Sequence, residues 1–386
     1  MGQTSNRVIC RNEVFIEGES VGQFESFSLR ANYRTFGATG VLTIPLYAVG
    51  IGQLENGTQS GTVSSGRARN RVRKTFSAKF INICAEVEVY CWYEGYERTL
   101  VFHGYVEHVL QGFPTKIYVR DGSFILRFGE VEKGWNSEAT LQKIVSDCIP
   151  IAEKAFKAER EKYEMTREVP ALQYTDKTNN TQAVTTPLSF ENFAQGRTPF
   201  EVLQHLMQQL VLFAGVTNDN NVYIGAGVQD TARETIKLDT RYNVINCSIT
   251  PTDGRFVSYD VKVTGVLKNG KKYTATGGLK TSRSNDQESD LDKITGESYR
   301  GFTLLDTAEG IQECADRMLK MLKGNRNKGK LTTLLYPKMQ LLDHVDYNDT
   351  VFEENSGLYY VIGYTFEASD QGYFQTLEVT DQVFVL

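Results

Sequence analysis

The chain of 386 residues is long enough for roughly two to four compact units rather than a single core. With 42 basic against 47 acidic residues its net charge is −5, which excludes a global drive toward nucleic acid or an acidic membrane surface. No apolar run approaches the roughly 18–20 residues of a membrane-spanning helix, and the polar stretch Met1–Arg11 lacks the apolar centre of a secretory signal.

Twenty Tyr, 21 Phe and 33 Gly against 8 Pro point to many strands joined by turns. Residues 8–48 read as strands, with Phe24, Phe27, Leu29 and Ala31 partly alternating and Val41–Leu46 following the Gly37-Ala38-Thr39-Gly40 turn. Residues 50–75 are rich in Gly, Ser and Asn, the composition of a loop ordered by a partner or left mobile. Strands are expected again at Phe76–Ile83, Ala85–Tyr93, Thr99–Leu110, Lys116–Arg120 and Ser123–Phe128.

The pattern then turns helical. Ser137 is placed to cap a run carrying Leu141, Ile144, Val145, Cys148 and Ile149, with Pro150 interrupting it before a charged surface helix over Ala152–Glu164. After a polar linker from Tyr174 to Thr186, Thr198-Pro199-Phe200-Glu201 forms a capping box with proline at the first helical position. Val202, Leu203, Leu206, Met207, Leu210, Val211 and Phe213 give its apolar stripe, Gly215 its stop, and a short strand is expected at Asn221–Gly225.

From Asn243 the strand pattern returns at Val244–Thr250, Val257–Gly265 and Lys271–Gly277, followed by a polar interruption over 278–300. Asp306-Thr307-Ala308-Glu309 caps a further helix ending at Gly324, with strands at Gly329–Tyr336, Thr350–Glu353, Leu358–Ala368 and Tyr373–Thr380. The two β blocks end alike. Gly104-Tyr105, Gln111-Gly112-Phe113, Thr115 and Asp121 match Gly363-Tyr364, Gln371-Gly372-Tyr373, Thr376 and Asp381, each a strand, a Gly-centred turn and an aromatic-led return. The expected fold is mainly β with α+β: two related tube-like β-barrels bracket an α/β middle. The first barrel covers 1–134, the middle 135–235 and the second barrel 236–386, with a helix inserted at about 306–324.

Phe102-His103-Gly104-Tyr105-Val106 resembles the F-x-G-x-V strand of phage tail hub proteins, and so do Leu341–Thr350, Leu358–Tyr364 and Gln371-Gly372-Tyr373. Ser137–Leu141 and Thr198–Leu203 are similar to helix starts in the middle of that family. It comprises baseplate hubs of contractile tails, the Mu-like 43 kDa tail protein, late control D proteins and the N-terminal part of type VI secretion spikes. The resemblance implies a homotrimer in which two barrels per chain make a six-barrel, pseudo-sixfold ring. Such a ring adapts a hexameric tail tube to a trimeric spike or tail tip. Its implied partners are itself, the tube protein, the spike or tail-tip protein and the tape measure protein, with DNA passing only in transit. The implied location is the virion tail, assembled in the bacterial host cytoplasm, with no stable membrane association. Members often carry a fused lysozyme or spike, whereas this chain ends after the second β block, so any spike is expected to be separate.

No catalytic constellation emerges. His103, His108, His205 and His344 lack metal-ligand spacing, with His103 and His108 expected on opposite faces of one strand and His205 on a helix surface. G-x-S-x-G is absent, and Gly225-Ala226-Gly227 and Thr276-Gly277-Gly278 lack the context of a phosphate loop. Cys10, Cys84, Cys91, Cys148, Cys247 and Cys314 have neither zinc nor disulfide-framework spacing and read as small buried hydrophobes of a reducing compartment. No enzyme activity, metal or cofactor is expected. The basic run Arg67, Arg69, Arg71, Arg73 and Lys74 puts its arginines on one face if extended. It is either a contact arm onto an acidic neighbour or the transiting DNA, with protein preferred, or a solvated loop. Rival classes are a carbohydrate- or receptor-binding tail module, which the aromatic strands permit, and a cell-wall hydrolase.

Overall fold

The computed structural model describes residues 9–32, 35–45, 81–112, 114–135, 140–174, 194–210, 212–225, 235–251, 257–277, 294–303, 305–324, 327–335, 338–341 and 343–381. The first block contains Cys10–Ile16 (β1), Glu19–Gly22 (β2), Ser26–Asn32 (β3), Thr39–Ile44 (β4), Glu86–Tyr93 (β5), Thr99–Leu110 (β6) and Thr115–Arg120 (β7). The middle holds Leu141–Lys162 (α1), Gln173–Tyr174 (β8), Pro199–Leu210 (α2), Phe213–Val216 (β9) and Asn221–Gly225 (β10). Then come Ile236–Asp239 (β11), Val244–Pro251 (β12), Val257–Val266 (β13), Lys272–Thr276 (β14), Ile294–Phe302 (β15), Ala308–Gly324 (α3), Asn327–Leu334 (β16), His344–Asn348 (β17), Gly357–Ser369 (β18) and Gly372–Thr380 (β19).

The β-rich expectation holds, but two closed barrels do not appear among the described residues. The pairings run β12-β16-β19-β18-β3-β4-β7-β6-β5-β1-β2, with β17 on β18 and β11 on β17, as one open 13-stranded sheet. The ends fail to meet because β3 spends its second edge on β18 of the other block.

Within this sheet the chain repeats itself. The run β3-β4-β7-β6-β5 and the run β12-β16-β19-β18-β17 have the same order, and every neighbouring pair in both is antiparallel. The hairpins match in detail. Tyr105 stands opposite Arg120 as Tyr360 stands opposite Thr380, and each long strand then bulges, between Val106 and His108 or between Val361 and Gly363. At that point Val106 N–H donates to Ala85 O (2.8 Å) and Val361 N–H to Asp343 O (3.0 Å). The register corrects the repeat read from sequence. Asp121 and Asp381 do correspond, but the counterpart of Tyr105 is Tyr360 and not Tyr364, because the β18–β19 hairpin turns tightly at Ser369↔Gly372 while β6 and β7 pair only up to Leu110↔Lys116.

A further correspondence has no obvious signature in sequence. Gly40 faces Leu29 and Gly329 faces Ile249, and a Cβ there would lie 2.9 Å from Ser28 O and 2.2 Å from Ser248 O respectively. Both glycines let neighbouring strands approach more closely than a side chain permits.

Several local expectations change. Ser137 lies outside the described residues; Thr140 caps α1, its Oγ1 accepting from Lys143 N (3.2 Å). Pro150 does not interrupt α1, which runs unbroken for 22 residues, because the buried stripe Ile144, Val145, Cys148, Ala152 and Phe156 passes through it and its packing outweighs the one lost backbone bond. Ser123–Phe128 is not a strand: the carboxylate of Asp121 accepts from Ser123 N (3.0 Å) and starts a 3-10 helix over Gly122–Arg127. Gly215 is not a helix stop but pairs with Tyr223 inside β9–β10. The interruption at 278–300 ends in strand β15, and Thr350–Glu353 is turn rather than strand, the strand being β17.

The capping box expected at Thr198 forms, whereas the helix expected to be capped over Asp306–Glu309 is capped by Thr307 alone, since Gly310 has no side chain to complete a box. Glu201 N donates to Thr198 Oγ1 (3.3 Å) while Thr198 N donates to Glu201 Oε2 (2.9 Å), and Thr307 Oγ1 accepts from Gly310 N (3.1 Å). The helix capped by Thr307 lies between β12 and β16 in sequence, yet it packs on its own sheet β14-β13-β15 through Ile311 and Ala315 rather than inside the second block. Around Phe27, Phe102 and Val119 the first block forms one core, and Leu331, Tyr347, Tyr359 and Val379 form that of the second.

Candidate functional site: the junction and the clamp behind it

Two structural features organise the described residues. The first is the junction between the copies. Past its bulge, β18 leaves β17 and pairs with β3, from Gly363↔Asn32 to Ala368↔Phe27. The seam is filled with aromatic rings: Phe27 lies 6.3 Å from Phe366 and 5.7 Å from Phe102, and Tyr93 lies 5.4 Å from Tyr373. Tyr93 Oη donates to the Tyr373 carbonyl (3.2 Å), and Asn32 Nδ2 donates to Glu378 Oε2 (2.8 Å). Lys338 also crosses the seam, its ammonium donating to Leu100 O. Desolvation there lowers its pKa to about 8.

The second feature clamps α1 to the first block. Arg160, 3% exposed, donates Nη1 and Nη2 to the two carboxylate oxygens of Glu17 (2.9 and 3.0 Å) and also to the carbonyls of Cys84 and Arg167. Beside it Glu86 sits between His103 Nε2 (2.8 Å) and Arg167 Nε (2.9 Å). His103 Nδ1 lies 2.8 Å from Asn218 O, so both ring nitrogens face acceptors within the protein. Asn220 Nδ2 donates to Pro170 O (2.9 Å), and the Asp121 carboxylate takes Ala38 N–H (2.6 Å). Burial raises the pKa of Asp121, against the pull of those N–H groups.

These groups are bound to one another. Of the charged residues lining the 580 Å³ cleft beside them, Arg160 pairs with Glu17, Arg167 with Glu86 and Glu88, and Glu153 accepts from Leu172 N, while Lys157, Glu161 and Glu168 also line it. His103 is buried and His108 exposed, but they do not lie on opposite sides of β6 as expected: the bulge between Val106 and His108 shifts the alternation, so His108, opposite Tyr118, shares the face of His103 and Tyr105. His205 is half-buried rather than on the surface, and burial lowers its pKa. Among the described residues no three His, Cys, Asp or Glu side chains are grouped to hold a metal, and no helix is long and apolar enough to cross a membrane. Burial pushes the thiols of Cys84 and Cys148 up to about 12 and that of Cys314 to about 11, which keeps them protonated and unreactive.

The basic run Arg67, Arg69, Arg71, Arg73 and Lys74 lies outside the described residues. Sequence reading missed the clamp because its members come from distant strands. The one local signal was Arg160, standing four residues after Phe156 where the apolar stripe of α1 calls for another hydrophobe.

This fold is shared by solved structures of phage and prophage tail proteins. The tail protein from Neisseria meningitidis MC58 shares it at 14% identity and a TM-score of 0.57, over 97% of this chain and 96% of that one. The 43 kDa tail protein of prophage MuSo2 from Shewanella oneidensis does so at 15% identity and a TM-score of 0.56, over 96% of each chain. The E. coli c3393 protein, a type VI secretion system component described as similar to T4 tail proteins gp27 and gp5, matches at 10% identity and a TM-score of 0.50, over 96% of this chain and 76% of that one. No protein-family model and no curated protein matches the sequence. At these identities the likeness establishes the fold, and it is the fold that the strand motifs resembled.

Proposed function

We propose that the chain is a structural hub subunit of a phage tail or related injection machine, with no catalytic role. Three chains form a pseudo-sixfold ring that adapts a hexameric tail tube to a trimeric spike or tail tip. One observation carries this reading: the same five-strand arrangement occurs twice in one chain, with matching bulges. A ring of three chains matches a hexamer only if each chain presents two similar faces. The tube, spike and tape measure proteins are its partners, DNA passes through without stable binding, and the α/β units lie outside the ring. The subunit is assembled in the host cytoplasm and resides in the virion tail. The arm Arg67–Lys74 contacts an acidic face of a neighbouring subunit or tube protein.

Light scattering across a wide concentration range, with negative-stain imaging of the largest species, tests the ring. Three times the 43.5 kDa chain, with a central hole and sixfold outline, is expected. A protein monomeric throughout and in the presence of tube and spike protein contradicts it. Replacing Arg67, Arg69, Arg71 and Arg73 with Ser is expected to weaken ring or tube assembly several-fold, and unchanged assembly removes the arm from the account.

A second reading, a carbohydrate- or receptor-binding tail module, has one observation in its favour. Tyr242, Val351 and Phe352 are exposed on two loops tied by Thr240 and Thr350 (Oγ1–Oγ1 2.9 Å). Binding in a glycan screen by a protein that forms no ring would favour it.

A further inference from the structure

The duplication leaves two strand edges whose counterparts are already joined to each other. Along one edge β18 has two neighbours: β17 up to His344↔Tyr360, then β3 from Gly363 onward. β6, the counterpart of β18, pairs with β5 up to Glu86↔Tyr105, and Val106 N–H still reaches Ala85 O. Past the matching bulge, His108–Leu110 have no strand partner on that edge among the described residues. β12, the counterpart of β3, pairs only with β16 among the described residues, so its second edge is open where that of β3 is filled. Apolar side chains stand exposed on both strands, Leu110 at 46% and Ile245 at 55%. The terminal strand β2 is four residues long and has no counterpart at the filled seam.

We infer that these two edges are each other's partners between chains: the His108–Leu110 end of β6 in one subunit pairs antiparallel with β12 of the next, as β18 pairs with β3 within a chain. The register follows from the duplication. Thr365 is the counterpart of Leu110 and Arg30 of Thr250, and Thr365 stands opposite Arg30, so Leu110 of one subunit stands opposite Thr250 of the next. The ladder is short and ends at Pro251, which has no N–H to continue it. Each chain offers two different edges, so the contact is head-to-tail and builds a ring or a filament rather than a closed pair. Open edges are otherwise an aggregation liability, and this pairing removes both. The number of chains in the ring rests on the hub reading; the identity of the edges rests on the duplication.

Disulfide trapping with two differently tagged chains tests it, one carrying Leu110→Cys and the other Thr250→Cys, with the parent chains as background for the native Cys247 and Cys10. Mild oxidation of the mixture is expected to give a mixed-tag cross-linked pair at least tenfold above the parent background. The double variant in one chain is expected to give species up to three chains. Arg30→Cys with Thr365→Cys, which cross-links within a chain, shows that the oxidation works. A mixture that assembles by light scattering but gives no cross-link above background overturns the edge assignment and leaves the hub standing. A mixture that neither assembles nor cross-links overturns both.

Discussion

The two copies share a five-strand frame and differ in almost everything attached to it. The first copy extends β5 into β1 and β2 by antiparallel pairing, whereas the second extends β17 into β11 by parallel pairing. In the first, β3 and β4 are separated by a short turn. Between their counterparts β12 and β16 the second copy inserts a complete unit of three strands and a helix. The cores differ too: the first is built on Phe24, Phe27 and Phe102 and takes in Phe366 and Tyr373 from the other copy, while the second relies on aliphatic residues with Tyr347 and Tyr359. Those two tyrosines need polar partners, and their hydroxyls donate to Asp349 Oδ2 (3.0 Å) and Asn355 O (2.8 Å). What stays constant is strand order, bulge and close approach, the features that set where an edge lies. Side chains were free to change as long as each core stayed full.

If the first copy holds the seam, emptying its centre harms the whole molecule. Phe27→Ala removes a ring in contact with Phe24, Phe102 and Phe366 and is expected to cost about 3–5 kcal/mol, read as a lower urea midpoint with a single transition. Arg160→Met leaves Glu17 and two carbonyls without their donor and is expected to cost about 3 kcal/mol by the same measurement. The glycine pair sharpens the comparison. Gly329→Ala is expected to cost about 2–3 kcal/mol and Gly40→Ala about 1 kcal/mol, because the added carbon meets backbone at 2.2 Å in one copy and 2.9 Å in the other. Equal costs would show that the two approaches are not equally rigid versions of one feature.

Lys338 gives the smallest effect. Its pKa falls from 10.5 to about 8 on folding, so between those values the unfolded chain binds more protons than the native one. Its contribution to stability therefore rises as pH increases from about 8 to 10.5, and Lys338→Met is expected to remove that part of the rise between matched urea titrations at pH 7.5 and 9.5.

Where the determinants are local, the fold was legible in the sequence. Thr198-Pro199-Phe200-Glu201 and Thr307 mark their helix starts through chemistry within one turn. The limits of β6, β18 and β19 follow from runs of alternating or aromatic residues bounded by glycine or polar turns. Pro150 misled because local propensity favours a break and tertiary packing overrides it. Ser123–Phe128 misled because an apolar run of that length has no periodicity to separate strand from 3-10 helix, and Asp121 decided the matter. Gly104-Tyr105 and Gly363-Tyr364 matched in letters while lying out of step in register, since register depends on loop length and cross-strand partners. The seam, the clamp and the open edges involve residues as far apart as Asn32 and Glu378, and no local pattern records them.

The central claim is that the two copies present equivalent faces. A cryo-electron microscopy reconstruction of the assembled ring, computed without imposed symmetry, tests it most directly. Rotational self-correlation of the β layer is expected to peak at every 60°, and that of the inserted unit and the α/β middle only at every 120°. A β layer that repeats at 120° alone would contradict the claim and reduce the duplication to a feature of the fold without a role in assembly.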